Sequence, residues 1–187
     1  MDYEVTMRIL IGCCLALMLA IPAQATVLVG ADLGELSRDA IAIARGRVVA
    51  VDARWAEGRR TIETIVTLEV ERYLKGSLGD SLEFRVPGGE FGRFRSVVVG
   101  APEFTVDERI VVFLGAKGPA IPYVLGLSQG VFRVARAADA SGWVVASPAF
   151  FPSSPARVPI VRGDASRRPL ALAEFEQRIR GLVEGAR

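Results

Sequence analysis

The chain has 187 residues, with 23 Lys and Arg against 21 Asp and Glu, two Cys and no His. The absence of histidine removes Ser-His-Asp and Cys-His catalysis, imidazole acid–base chemistry and His-ligated zinc. A formal net charge of +2 is no electrostatic footprint for nucleic acid.

Ile9 to Ile21 is an unbroken apolar run, followed by Pro22 and by Ala23-Gln24-Ala25. A run of 13 residues is too short to cross a bilayer of roughly 30 Å as a helix, and the A-x-A triplet is a cleavage signature. A signal peptide over residues 1–25, cleaved after Ala25, is therefore expected, which places the protein in the periplasm or outside the cell. Asp2 and Glu4 are acidic where a positive n-region belongs, so Met7-Arg8 makes the better start. Cleavage removes Cys13 and Cys14, which leaves neither a disulfide nor a thiolate metal site. It also leaves 22 basic and 19 acidic residues in 162, enough chain for one domain that buries about 70% of its unfolded surface.

Asp32 and Glu35 have capping-box spacing ahead of Leu33, Leu36 and Ala40, which predicts a short helix ending near Ala40. A strand pattern follows from Ile41 to Trp55, interrupted by Gly46 where a bulge or bend is expected. Ala56 to Arg59 is a turn. From Arg60 to Leu74, Ile62, Val66, Leu68, Val70 and Leu74 alternate with Thr61, Glu63, Thr67, Glu69 and Glu71. This period of two marks a half-buried strand about 50 Å long. Such a strand must bend, and bent strands close small barrels.

Ser81 to Val86 alternates with Leu82, Phe84 and Val86 inward, and Pro87-Gly88-Gly89 ends it. Arg93 to Val99 predicts a further strand. Ile110 to Leu114 is apolar on both faces, as a central strand should be. Tyr123 to Leu127, Val131 to Arg136 and Trp143 to Val145 complete a series of short strands at the spacing of a barrel or sandwich. Five prolines between Pro148 and Pro169 mark a strap or linker. Leu172, Phe175, Ile179 and Leu182 recur at helical spacing in an amphipathic C-terminal helix.

The expected architecture is thus mostly β. It is a single small OB-like barrel, or a closely related sandwich, over residues 26–147. A strap over 148–169 leads to a C-terminal helix over 170–187 packed on the barrel.

Few residues offer chemistry. Lys75 and Lys117 are the only lysines, and Lys75 in a Lys-Gly turn reads as a solvated residue. Glu69 and Glu71 share one face of the long strand about 7 Å apart, within the range of carboxylate pairs in inverting glycosidases. On an exposed strand face, however, such carboxylates ordinarily pair with neighbouring arginines. Val86 to Gly92 is glycine-rich but lacks the Gly-Lys-Ser/Thr of a phosphate loop. Phe91, Arg93, Phe94 and Arg95 interleave aromatic and planar cationic groups, residue types enriched at interface hot spots. Simple strand alternation, Phe in and Arg out, is the competing explanation. Trp55 and Trp143 are expected in core or rim packing.

The series Arg45-Gly46-Arg47-Val48-Val49, Val66-Thr67-Leu68-Glu69-Val70, Leu74-Lys75-Gly76, Val86-Pro87-Gly88-Gly89, Val112-Phe113-Leu114 and Gly126-Leu127-Ser128-Gln129-Gly130 resembles a family of uncharacterised exported bacterial proteins. The order of export signal, Arg-Gly-Arg-Val strand, long strand and Leu-Lys-Gly turn is also similar to the OB-like barrel of tissue inhibitors of metalloproteinases and netrin-type modules. That likeness implies a fold only. Those inhibitors use an N-terminal cysteine and several disulfides that this chain lacks.

The expected function is an exported binding module without cofactor or metal, its binding surface including Phe91, Arg93, Phe94 and Arg95. Its partner is expected to be a protein or another extracytoplasmic ligand, with no nucleic acid and no membrane span after cleavage. A small carboxylate-dependent hydrolase and an envelope structural component are the alternatives.

Overall fold

The computed structural model describes residues 32–58, 60–118, 120–137, 142–146 and 169–185. The expected signal segment, nearly all of the Pro-rich strap and residues 138–141 lie outside the described residues.

The two longest strands, β1 (Ala42–Trp55) and β2 (Ile62–Lys75), run antiparallel over 14 residues each. Their ladder shifts register at three points, between Ile43 and Ala44, Arg45 and Gly46, and Val48 and Ala50. Each shift adds local twist and bend, which is what lets β1 pair with β2 along one edge and with β6 (Arg109–Gly115) along the other. Gly46 sits at one shift because no side chain fits there. A Cβ at this position would collide with the Glu69 carbonyl oxygen and lie 2.9 Å from Leu68 Cγ.

From β2 the sheet continues to β3 (Ser81–Pro87), antiparallel, and then to the two-residue β7 (Tyr123–Val124), parallel. β7 pairs with the end of β6, so the order β1-β2-β3-β7-β6 returns to β1 and closes a five-stranded, OB-like barrel. A separate hairpin, β4 (Gly89–Phe91) and β5 (Phe94–Ser96), is inserted between β3 and β6. After β7 a 3-10 turn (Leu127–Gly130) leads into β8 (Val131–Arg136). The strands β8, β9 (Trp143–Ala146) and β10 (Leu170–Ala171) extend the sheet beyond β6.

This branching explains why Ile110 to Leu114 is apolar on both faces. Ile110, Val112 and Leu114 point into the barrel with Val48, Val66, Leu68, Leu82, Phe84 and Val86. Val111 and Phe113 point the other way, into a second core with Ile43, Phe132, Val134 and Val145. Two helices cover that core, α1 (Leu33–Asp39) through Leu36 and α2 (Leu172–Glu184) through Phe175 and Ile179. Full burial of each such side chain contributes about 1.5–3 kcal/mol.

Helix α1 begins as its sequence predicts, with Asp32 Oδ1 accepting from the Glu35 backbone N–H at 2.7 Å. Its other end is closed by a residue expected in solvent. Lys75 Nζ donates to the carbonyls of Ser37 at 2.8 Å and Arg38 at 2.9 Å. These are last-turn carbonyls without helical donors, at the negative end of the helix dipole. Lys75 is thus a cap that ties β2 to α1.

Two stretches differ from their predicted extent. β7 stops at Val124 because Gly126 and Leu127 both take positive φ and turn the chain. The strand predicted over Arg93 to Val99 is shorter and of another kind. Only Phe94–Ser96 is strand, as the return arm of a hairpin.

Candidate functional site

The carboxylates of the long strand are committed to arginines. Glu69 pairs with Arg47 at 2.6 Å, and Arg47 pairs in turn with Asp107 at 2.8 Å. The Arg47 guanidinium is accordingly held above its ordinary pKa, first by the hydrogen bond to Glu69 and then by that to Asp107. Glu71 bridges Arg45 at 3.1 Å and Arg109 at 2.8 Å. Arg45 also pairs with Glu176 of α2, which receives Arg72 at 3.0 Å. Arg109 lies 4.8 Å and Arg136 4.4 Å from the ring centroid of Trp143. This face is a ladder of alternating charge across β1, β2 and β6 that locks α2 to the barrel. Glu69, Glu71 and Glu176 each carry at least one arginine partner there. Among the described residues no group of three or more His, Cys, Asp or Glu is placed to hold a metal ion, and no helix is long and apolar enough to cross a membrane.

The other predicted residues lie together on the β4–β5 hairpin. Gly92 takes a left-handed φ of 61°, which allows a two-residue turn through Arg93. The turn makes Phe91 and Phe94 cross-strand partners, so both rings share one face of the hairpin. Strand alternation, with Phe inward and Arg outward, is therefore not what the segment does. Both rings remain substantially accessible, at 43% and 47%. Trp55, at the end of β1, supports them edge-on, 6.4 Å from Phe91 and 5.3 Å from Phe94 between centroids. Arg93 lies 5.1 Å from the Phe94 ring centroid. Arg95 pairs across the hairpin with Glu90 at 3.1 Å.

The base of the hairpin is pinned to the barrel. The Gly88 N–H donates to the Ile62 carbonyl at 2.9 Å, and Thr64 Oγ1 donates to the Gly88 carbonyl at 2.8 Å. Gly88 and Gly89 both have positive φ, and a Cβ on Gly89 would strike Thr64 Oγ1. Pro87-Gly88-Gly89 is thus a fixed corner that redirects the chain from β3 into the hairpin.

Beside the hairpin lies a cavity of about 310 Å³, lined by Val51, Thr64, Val86, Val97, Val98 and Phe104 among others. A larger concavity of about 580 Å³ borders Trp55, Arg54, Glu63, Arg85 and Ile121. The smaller one is lined by Glu90, Arg95, Val97 and Val98, on the hairpin face opposite the two rings, whereas Trp55 borders the larger one. Sequence reasoning missed Trp55 as the support of the two rings, because β1 brings it there from more than thirty residues away. It also missed Val97 and Val99, exposed at 74% and 75%, because a run of β-branched residues reads as a buried strand.

No protein-family model matches the chain, and no curated protein matches it either.

Proposed function

We propose that the protein is an exported, cofactor-free binding module, with the β4–β5 hairpin and its flank as the contact surface. One observation carries this reading. Of the nine large apolar side chains most exposed among the described residues, five fall between Phe91 and Val99. They are Phe91, Phe94, Val97, Val98 and Val99, and exposed apolar side chains concentrated in one segment mark interaction sites. The pinned base of the hairpin supports the same reading, because a preordered surface loses less entropy on binding. Phe91, Arg93, Phe94 and Arg95 are the proposed contacts, and the ligand is a protein or another extracytoplasmic molecule. A carboxylate-dependent hydrolase is disfavoured by the arginine partners of Glu69 and Glu71.

The test combines Arg93→Ala, Phe94→Ala and Arg95→Ala in one chain that keeps its circular dichroism spectrum. Against a partner recovered from periplasm or culture supernatant, a loss of well over about 1 kcal/mol supports the site. Unchanged binding by the folded variant removes it. Export is tested separately, with N-terminal sequencing of the exported protein expected to begin at Thr26. A lipid-modified start at Cys13 would overturn the assignment of a cleaved signal.

A further inference from the structure

We infer that the surface takes an extended peptide segment of a partner protein, added as a strand to the outer edge of β5. The inference rests on the binding-module reading and specifies its ligand. Three observations support it.

The first is an unpaired edge. Among the described residues β4 and β5 pair only with each other, and the far side of β4 lies against β1 and β2. In a hairpin with a two-residue turn, Phe91–Phe94 and Gly89–Ser96 are the hydrogen-bonded pairs, so the N–H and C=O of Arg95 point outward. Neither Val97 nor Val99 has a backbone hydrogen bond among the described residues. Proteins ordinarily blunt such an edge with Lys, Pro or a bulge. Here it runs into Val97 and Val98, ahead of a turn in which the Ala101 N–H donates to the Val98 carbonyl.

The second observation is the cavity. Arg95, Ser96, Val97 and Val98 line it, so it opens along the same edge. A strand added there carries alternate side chains toward the barrel, and one apolar side chain can enter the cavity. Main-chain pairing with a pocket for alternate residues is the general mode of strand addition.

The third is charge. Arg93 has no carboxylate partner among the described residues, and the Arg95–Glu90 pair is exposed on both sides. Such a pair contributes little and can be exchanged. The incoming segment is therefore expected to place an acidic residue within reach of Arg93 or Arg95, beside an apolar residue for the cavity.

Panning random eight-residue peptides on the wild-type domain tests this. Enriched peptides should combine an apolar residue with a nearby acidic one. Val97→Pro removes one outward N–H without touching the β4–β5 ladder, and should weaken those peptides at least tenfold, whereas Val97→Thr, which keeps the N–H, should not. Methylating alternate backbone nitrogens of the peptide should have the same effect as the proline. Peptides lost by the Arg93/Phe94/Arg95 alanine variant but indifferent to Val97→Pro would overturn strand addition and leave the binding surface standing. Peptides indifferent to both, or no enrichment, would remove the inference, while the surface itself stands or falls with binding of the recovered partner by the triple alanine variant. A wild-type dimer that Val97→Pro converts to monomer would assign the edge to a second copy of this chain and overturn the partner peptide.

Discussion

At the scale of single residues, neighbours along β2 have opposite roles. Leu68 is fully buried in the barrel core, while Glu69 is exposed and meets Arg47 on the surface. Leu68→Ala should cost about 2–5 kcal/mol through the cavity it leaves. Glu69→Ala should cost about 0.5 kcal/mol or less, since exposed ion pairs contribute little. Equal shifts of the urea midpoint would contradict the strand phase. Glu176 is a different kind of carboxylate, only 3% accessible, receiving both Arg45 and Arg72. Glu176→Gln removes the charge and leaves Arg45 under-compensated in a half-buried place. A loss of about 1–3 kcal/mol is expected, moderated by the partial exposure of both arginines. Glu174→Gln, two residues earlier and on the opposite, exposed side of the helix, should change stability by about 0.5 kcal/mol or less in the same urea titration.

At the scale of elements, the bulged pair β1 and β2 decides whether the barrel closes. Gly46 occupies a register shift where a side chain would meet the backbone of Glu69. Gly46→Ala should destabilise by about 3 kcal/mol through enforced overpacking, against the usual gain from replacing glycine in a strand. A stabilised Gly46→Ala protein in thermal unfolding would show that the bulge is not tight. The β4–β5 hairpin behaves differently. Its side chains contribute little to either core, so the triple alanine variant should unfold within a few degrees of wild type while losing the ligand.

At the scale of the whole molecule, two cores share the two faces of one sheet. Barrel interior and helix-covered face meet along β6, whose residues alternate between them. The helices therefore are not appendages. A chain ending at Ala171 would expose Ile43, Val111, Phe113 and Phe132, and would leave Arg45 and Arg72 without Glu176. That chain should bind a hydrophobic dye and lose amide protection in β6 and β8 as well as in the barrel. Retention of full protection in β6 would show that the barrel is stable without its second core.

The sequence alone determined the long alternating strand, the irregularity at Gly46 in the strand before it, the Asp32-capped helix and the amphipathic C-terminal helix. Each is written in local periodicity or in one residue's backbone preference. It also excluded imidazole chemistry, because a missing residue type is missing in any fold. Phe91, Arg93, Phe94 and Arg95 were legible as a candidate surface by residue type, but their arrangement was not. Whether Phe-Gly-Arg-Phe runs on as a strand or folds back depends on Gly92 adopting φ of 61°, and on a corner held by Ile62 and Thr64 from another strand. The role of Lys75 was likewise invisible, since its acceptors lie 37 and 38 residues earlier in the chain. Tertiary structure decided these points because their energies come from pairings distant in sequence, which no local pattern encodes.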